Sequence, residues 1–186
     1  MPTDLTLYKE KDSIFLKKIT SIKELTPADG YLIDTNGNEK ETRKIIDSLR
    51  KQKPIIAIQG YDNTFNRRVL ETMKINYLIS PEKILKKDNL KQRDSGINHV
   101  TAKIAQKNNI SLIIDINEIK KFKPKEKSIN LSRIIQNIKI CRKAKSQIKI
   151  ASLAKNKTEL ISKRDRQAFL FTLGASSEQV KNSTQF

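Results

Sequence analysis

With 186 residues, 37% of them hydrophobic, the chain has enough material for one domain with a packed core and is short for two. Its 38 Lys and Arg against 20 Asp and Glu give a formal charge of +18, beyond what solubility needs, and point to a polyanionic partner, nucleic acid first. One cysteine and one histidine exclude an internal disulfide or a cysteine zinc cluster and argue against a catalytic zinc.

In chain order, residues 4–8 and 13–16 read as short strands around a charged turn. After a Pro27-Ala28-Asp29-Gly30 turn, a strand is expected over 31–34, then a polar turn, then a helix over 39–52 with Ile45, Ile46 and Leu49 on one face. The phrase repeats. Residues 54–58 form a continuous apolar run of buried-strand length, and Asp62 or Asn63 caps a helix carrying Phe65, Val69, Leu70 and Met73. A strand at 76–80 leads into 81–85, where Pro81 suits a first helical turn.

Residues 93–106 combine several signals. Asn98 is placed to cap a helix with Val100 and Ile104 on one side and His99, Lys103 and Lys107 spaced four apart on another. A loop that brings polar and cationic groups to a helix start can hold a phosphate, although an ordinary loop and helix start reads the same way. A strand follows at 110–115. Residues 120–128, with five lysines, one proline and no periodicity, read as an exposed basic loop. A helix is expected over 130–145, with Leu131, Ile134, Ile135, Ile138 and Cys141 inward and Arg133, Gln136, Lys139 and Lys143 outward. A strand at 148–152 and a helix at 164–173 ended by Gly174 come next. Ser176 or Ser177 begins a short last helix, and residues 183–186 are expected to fray.

Short apolar strands alternating with amphipathic helices imply βα units and a mainly parallel sheet, either open and doubly wound or closed into a small barrel. In both, the working face lies at the strand C-terminal ends, where Asp34, Gln59, Ser80, Asp115 and Ser152 fall. The N-terminus lacks a basic segment followed by an apolar one, and no apolar run is of membrane-span length, so a soluble, cytoplasmic chain is expected.

The charge is uneven. Residues 1–90 carry 17 basic and 13 acidic side chains, residues 91–186 carry 21 and 7, and between Lys120 and Lys157 there are 13 basic residues and one acid, Glu126. A richness in Lys, Ile and Asn from biased coding would raise the lysine count but would not thin the acids in one half only. The five glycines are too scattered for a P-loop or dinucleotide fingerprint, and no serine sits in a nucleophile elbow. A Mg²⁺ site from Asp34, Asp115 and Asp4 remains an alternative. Aromatics are few, with no Trp, so structured RNA held by its backbone fits better than a single-strand stacking platform.

Arg93-Asp94-Ser95-Gly96-Ile97-Asn98-His99-Val100 resembles protein component 3 of archaeal ribonuclease P, a relative of the eukaryotic thirty-kilodalton subunit. The likeness continues through Leu131-Ser132-Arg133 and Asn137-Ile138-Lys139-Ile140-Cys141-Arg142-Lys143. It resumes at Ala151-Ser152-Leu153-Ala154-Lys155 and at Leu160-Ile161-Ser162-Lys163-Arg164-Asp165, with Leu173-Gly174 beyond. These motifs stand in order over residues 93–182.

The resemblance implies one domain over 1–186: an α/β, compact TIM-like barrel of about seven mainly parallel strands with surrounding helices, related to the polymerase-and-histidinol-phosphatase phosphoesterases. It implies an RNA-binding subunit of an endoribonuclease that removes 5′ leaders from precursor tRNA. The chemistry would come from the Mg²⁺-dependent RNA subunit, with no cofactor in this chain. The implied partners are ribonuclease P RNA, precursor tRNA and a small ferredoxin-like protein subunit, two of each protein joining in a heterotetramer. Arg93, His99, Lys103, Arg133, Arg142, Lys143, Lys155 and Arg164 are the candidate RNA contacts, and no residue is assigned to catalysis. The phosphoesterases open with Asp-x-His-x-His, whereas here Thr6 and Tyr8 follow Asp4 at those positions, which favours a scaffold. A phosphoesterase acting on a small phosphate ester and a basic accessory protein of another ribonucleoprotein stand as alternatives.

Overall fold

The computed structural model describes residues 2–83, 88 and 93–186. Seven parallel strands form one sheet in sequence order: β1 (Asp4–Thr6), β2 (Ser13–Ile19), β3 (Gly30–Ile33), β4 (Ile55–Gln59), β5 (Tyr77–Ile79), β6 (Ser111–Asp115) and β7 (Ile148–Ala151). A bridge between Thr6 and Ala154, with Leu7 N–H donating to Ala154 O at 2.8 Å and Leu153 N–H to Leu5 O at 2.9 Å, joins the first strand to the chain after the last. The sheet is thus a nearly closed barrel, and the open doubly wound alternative is set aside.

Strand alternation divides the core into two layers. Leu5, Leu16, Leu32, Ala57, Tyr77, Ile79, Ile113, Ala151 and Leu153 fill the barrel interior. Their neighbours, such as Ile33, Ile58, Leu78, Leu112 and Ile150, face outward and meet the helices. The helical ring is α1 (Glu39–Leu49), α2 (Asn63–Thr72), α3 (His99–Lys107), α4 (Ile116–Lys121), α5 (Pro124–Ala144), α6 (Lys163–Thr172) and α7 (Ser177–Asn182). Asn38, Asp62, Asn98, Asp115, Ser162 and Ser176 each accept a backbone N–H in the first turn of the helix they precede. Of the helical turn expected at 81–85, residues 81 and 82 lie in a turn, and residues 84 and 85 lie outside the described residues.

Two expectations change, and two connections keep to turns where the rest of the barrel uses helices. The loop expected over 120–128 shrinks to residues 122–123: Lys120 and Lys121 end α4, a helix the sequence pattern did not show, and residues 124–128 start a 21-residue helix in which Pro124 takes the first helical position and Glu126 accepts the Lys123 N–H in a capping box. Periodicity missed this end because its side chains face mostly solvent, and a helix needs no apolar stripe where nothing covers it. Residues 183–186 are tied down. Ile150 N–H donates to Ser183 O at 2.9 Å, Ser183 and Thr184 are buried, and the Phe186 ring meets Tyr77 edge-on at 6.0 Å. Finally, β1 to β2 and β2 to β3 are joined without α-helices, by residues 7–12 and by a span holding one 3₁₀ turn, Ile22–Glu24. Glu10 and Glu24 hold these tight crossovers: Tyr8 Oη donates to Glu10 at 2.7 Å, and Thr20 N–H and Oγ1–H donate to Glu24 at 2.9 and 2.6 Å.

Candidate nucleic-acid interface

The segment leading into α3 is fastened to two neighbouring helices. Asn66 of α2 donates to Gly96 O at 3.1 Å, and Asn137 and Gln136 of α5 donate to Ser95 O at 3.0 Å and Arg93 O at 3.1 Å. Gly96 is required twice over. Its φ of +80° disfavours a side chain, and a Cβ there would lie 1.9 Å from Pro81 O. The backbone that carries Arg93 and His99 is therefore set before any ligand arrives.

Asp88 is the hub of this region. It accepts from the Arg93 guanidinium at 3.0 Å, from the Asp94 N–H at 2.9 Å and from Arg133 at 2.8 and 2.9 Å. Burial works to raise its carboxyl, but the Asp94 N–H and the two guanidiniums outweigh it and hold the group below its ordinary value. The adjacent Asp94 carboxylate is engaged elsewhere and accepts from Asn63 Nδ2 at 2.5 Å.

Arg133 does not reach the surface. It is 4% exposed, donates to Glu82 O at 3.3 Å as well as to Asp88, and belongs to the interior wall between α5 and the chain before α3. The outward placement assumed that a charged side chain turns away from the apolar stripe, which fails where a carboxylate lies beneath it. Arg166 of α6 is a second buried arginine: it is 2% exposed and pairs with Asp4 at 2.7 Å. Asp4 also accepts from Ser152 N–H at 2.8 Å and from Leu5 N–H at 2.9 Å. Burial nevertheless raises its carboxyl above the ordinary value, against the pull of Arg166 and Ser152.

The three carboxylates of the Mg²⁺ alternative have separate employment. Asp4 binds Arg166 behind the barrel wall, Asp34 pairs with Lys18 at 2.8 Å, and Asp115 caps α4 through Glu118 N–H at 3.0 Å. Among the described residues no group of three or more His, Cys, Asp or Glu side chains converges on one point. Asp115 and Glu82 are pushed up to about 7, chiefly by burial.

The remaining candidates are exposed: Arg93, His99 and Lys103 at and along α3, Arg142 and Lys143 near the end of α5, Lys155 after β7 and Arg164 in the first turn of α6. α3 packs against α5, so Arg93, His99, Lys103 and Lys143 belong to one helical layer, to which the exposed Lys139 adds. Arg142 turns toward the far side of α5, where its guanidinium donates to Gly174 O and, at 3.2 Å, to Gln179. Lys155 lies in the connection after β7, which Asn117 fastens by donating to Ser152 O at 2.7 Å and Glu159 O at 2.8 Å, and Arg164 stands in the first turn of the helix that this connection leads into. The candidates thus fall into two groups, on α3–α5 and on the β7–α6 connection, with Arg142 beside the second. Asp88 and Asn137 position the first group; Asp88 stands in no motif, and Asn137, though it opens one of the matching motifs, was not singled out because its partner, the Ser95 carbonyl, lies 42 residues away.

The family model described as RNase P subunit p30 matches residues 9–185. Among curated proteins, the chain is 27% identical over 144 residues to ribonuclease P protein component 3 of Methanococcus maripaludis strain C6, covering 77% of this chain and 59% of that one. It is 27% identical over 158 residues to the protein of the same name from Methanocaldococcus jannaschii, covering 85% and 65%. The chain spans about three fifths of the length of the curated relatives it matches. In structure it resembles a chain of archaeal ribonuclease P with mature tRNA, at a TM-score of 0.75 and 20% identity, covering 97% of this chain and 87% of that one. An amidohydrolase shares the fold more distantly, with a TM-score of 0.60 at 13% identity over 85% of this chain and 41% of its own.

Proposed function

Because the chain belongs to the RNase P subunit p30 family, we propose that it is an RNA-binding protein subunit of ribonuclease P, supporting RNA-catalysed removal of the 5′ leader from precursor tRNA. The observation that carries this reading beyond family membership is the division of charge. Interior acids are spent on caps and ion pairs, while Arg93, Lys103, Lys143, Lys155 and Arg164 stay exposed on rigid backbone. Such a surface neutralises phosphates and fixes a folded RNA in one orientation; it has little with which to read sequence. His99 belongs with these contacts as a hydrogen-bonding group at the first turn of α3.

In this reading the chain contributes no catalytic group and holds no cofactor, and Mg²⁺ serves the RNA subunit. Its partners are ribonuclease P RNA, precursor tRNA and a small ferredoxin-like protein, two copies of each protein assembling together, and its compartment is the cytoplasm. No described helix is long and apolar enough to cross a membrane. The test is reconstitution. Adding the chain with its small partner to the cognate RNA raises leader cleavage or lowers the Mg²⁺ requirement; no change in either would sink the proposal.

A further inference from the structure

Phe171 is 61% exposed on α6, and its surroundings say what it is for. A ring left in water contributes nothing to folding, and single exposed apolar residues often need no explanation. Here the setting is specific. Arg164, Ala168 and Phe171 are all exposed and spaced i, i+4, i+7, which puts them on one face of the helix. The small Ala168 leaves open space between the guanidinium and the ring. At the other end, Arg142 reaches across from α5 and donates to Gly174 O, three residues beyond Phe171. Gly174 is itself exposed, and a Cβ there would meet nothing within 4 Å, so the surface past the ring is unobstructed.

Two classes of ligand cover an exposed ring: another protein's apolar surface or a flat π-system. A protein contact wants an apolar cluster, and among the described residues Phe171 has none: the other large exposed hydrophobics there, Ile22, Tyr61 and Val100, belong to the turn after β2, the β4–α2 loop and α3, while its own neighbours Phe169 and Leu173 pack inward. What flanks the ring along the helix is cationic: Arg164 two turns before it and Arg142, held at Gly174 O, just after the helix ends. Such a setting, with Lys155 in the connection that leads to the helix, suits a nucleobase whose flanking phosphates need neutralising.

We propose that Phe171 is a stacking platform for an unpaired nucleobase of a bound RNA, with Arg164 and Arg142 holding the phosphates on either side. This rests on the RNA-binding reading above and adds to it a single-stranded element, which a backbone-only surface would not select.

The chain has no tryptophan, so Phe171→Trp places a lone indole at the site. Its emission is expected to be quenched by single-stranded oligoadenylate and by ribonuclease P RNA, at concentrations matching binding measured on filters, and to be unchanged by a fully paired duplex of the same length. Phe171→Leu keeps the thermal midpoint and weakens oligoadenylate binding about tenfold, as loss of one stacked base does. An indole that stays bright while RNA binds, or wild-type affinity in Phe171→Leu, overturns the inference. So does a change in emission caused by the small protein subunit and not by RNA. Failure of the wild-type chain to bind any of these RNAs on filters is a separate result: it removes the RNA-binding reading and this inference together.

Discussion

Arg133 and Arg164 look alike in the sequence, each an arginine on an amphipathic helix of a strongly basic chain, and the fold gives them opposite work. Arg133 lies 4% exposed against Asp88, whereas Arg164 stands in solvent at the first turn of α6. Arg166, two residues on, repeats the interior case with Asp4. A guanidinium loses hydration when buried and is kept there by a carboxylate and carbonyls that replace the lost water. On the surface it keeps its hydration and stays free to exchange counterions for phosphate. Charge count therefore overstates the area open to a polyanion, and geometry decides which cations stay at the surface and which hold the barrel together.

Substitutions can break this contrast, and the interior ones act hardest. Arg166→Met leaves Asp4 buried without its partner and is expected to cost about 3–5 kcal/mol, read as a lower urea midpoint. Adding Asp4→Leu should recover part of that loss; no recovery would mean the pair is not what holds α6 to β1. Glu82 comes next, acting through pH. Its carboxyl is pushed from 4.5 up to about 7, chiefly by burial, so its contribution to stability is intact below pH 4.5 and is lost as the pH rises through 7. Stability should fall over that window by about 3 kcal/mol from this group, and Glu82→Gln should flatten the curve. Parallel curves for wild type and variant would refute the assignment.

Arg133→Met is expected to cost about 2 kcal/mol, less than Arg166→Met because Asp88 keeps Arg93 and the Asp94 N–H. Its effect on RNA should appear only as loss of folded protein, with the salt dependence of binding unchanged. The surface cations give the smallest change in stability and the opposite signature. Arg93→Ala, Lys103→Ala, Lys143→Ala or Arg164→Ala should each shift stability by about 0.5 kcal/mol or less and lower the salt slope of RNA binding by about one unit. A slope that does not move takes that residue off the interface.

Local chemistry was readable where it acts over a few residues. Asn98 caps α3 as its position before an apolar-periodic stretch required, Gly174 ends α6 with φ +87°, and Cys141 is buried as a small apolar residue on the inward stripe of α5. The candidate site was readable as a population of cations in the second half of the chain. Its membership was not, because Asp88 lies 45 residues from Arg133, and Asp4 lies 162 from Arg166.

By itself, then, the sequence determined the order of the strands and of every described helix but α4, the parallel character of the sheet, the basic second half and, through its motifs, the family. Those follow from side-chain period, capping chemistry and composition, which need no distant partner. Only the tertiary structure decided that the sheet closes through Thr6 and Ala154, that residues 183–186 pack beneath the barrel, and which arginines face inward. Each of these depends on a contact between segments far apart in the chain, and such a contact has no local pattern from which it can be read.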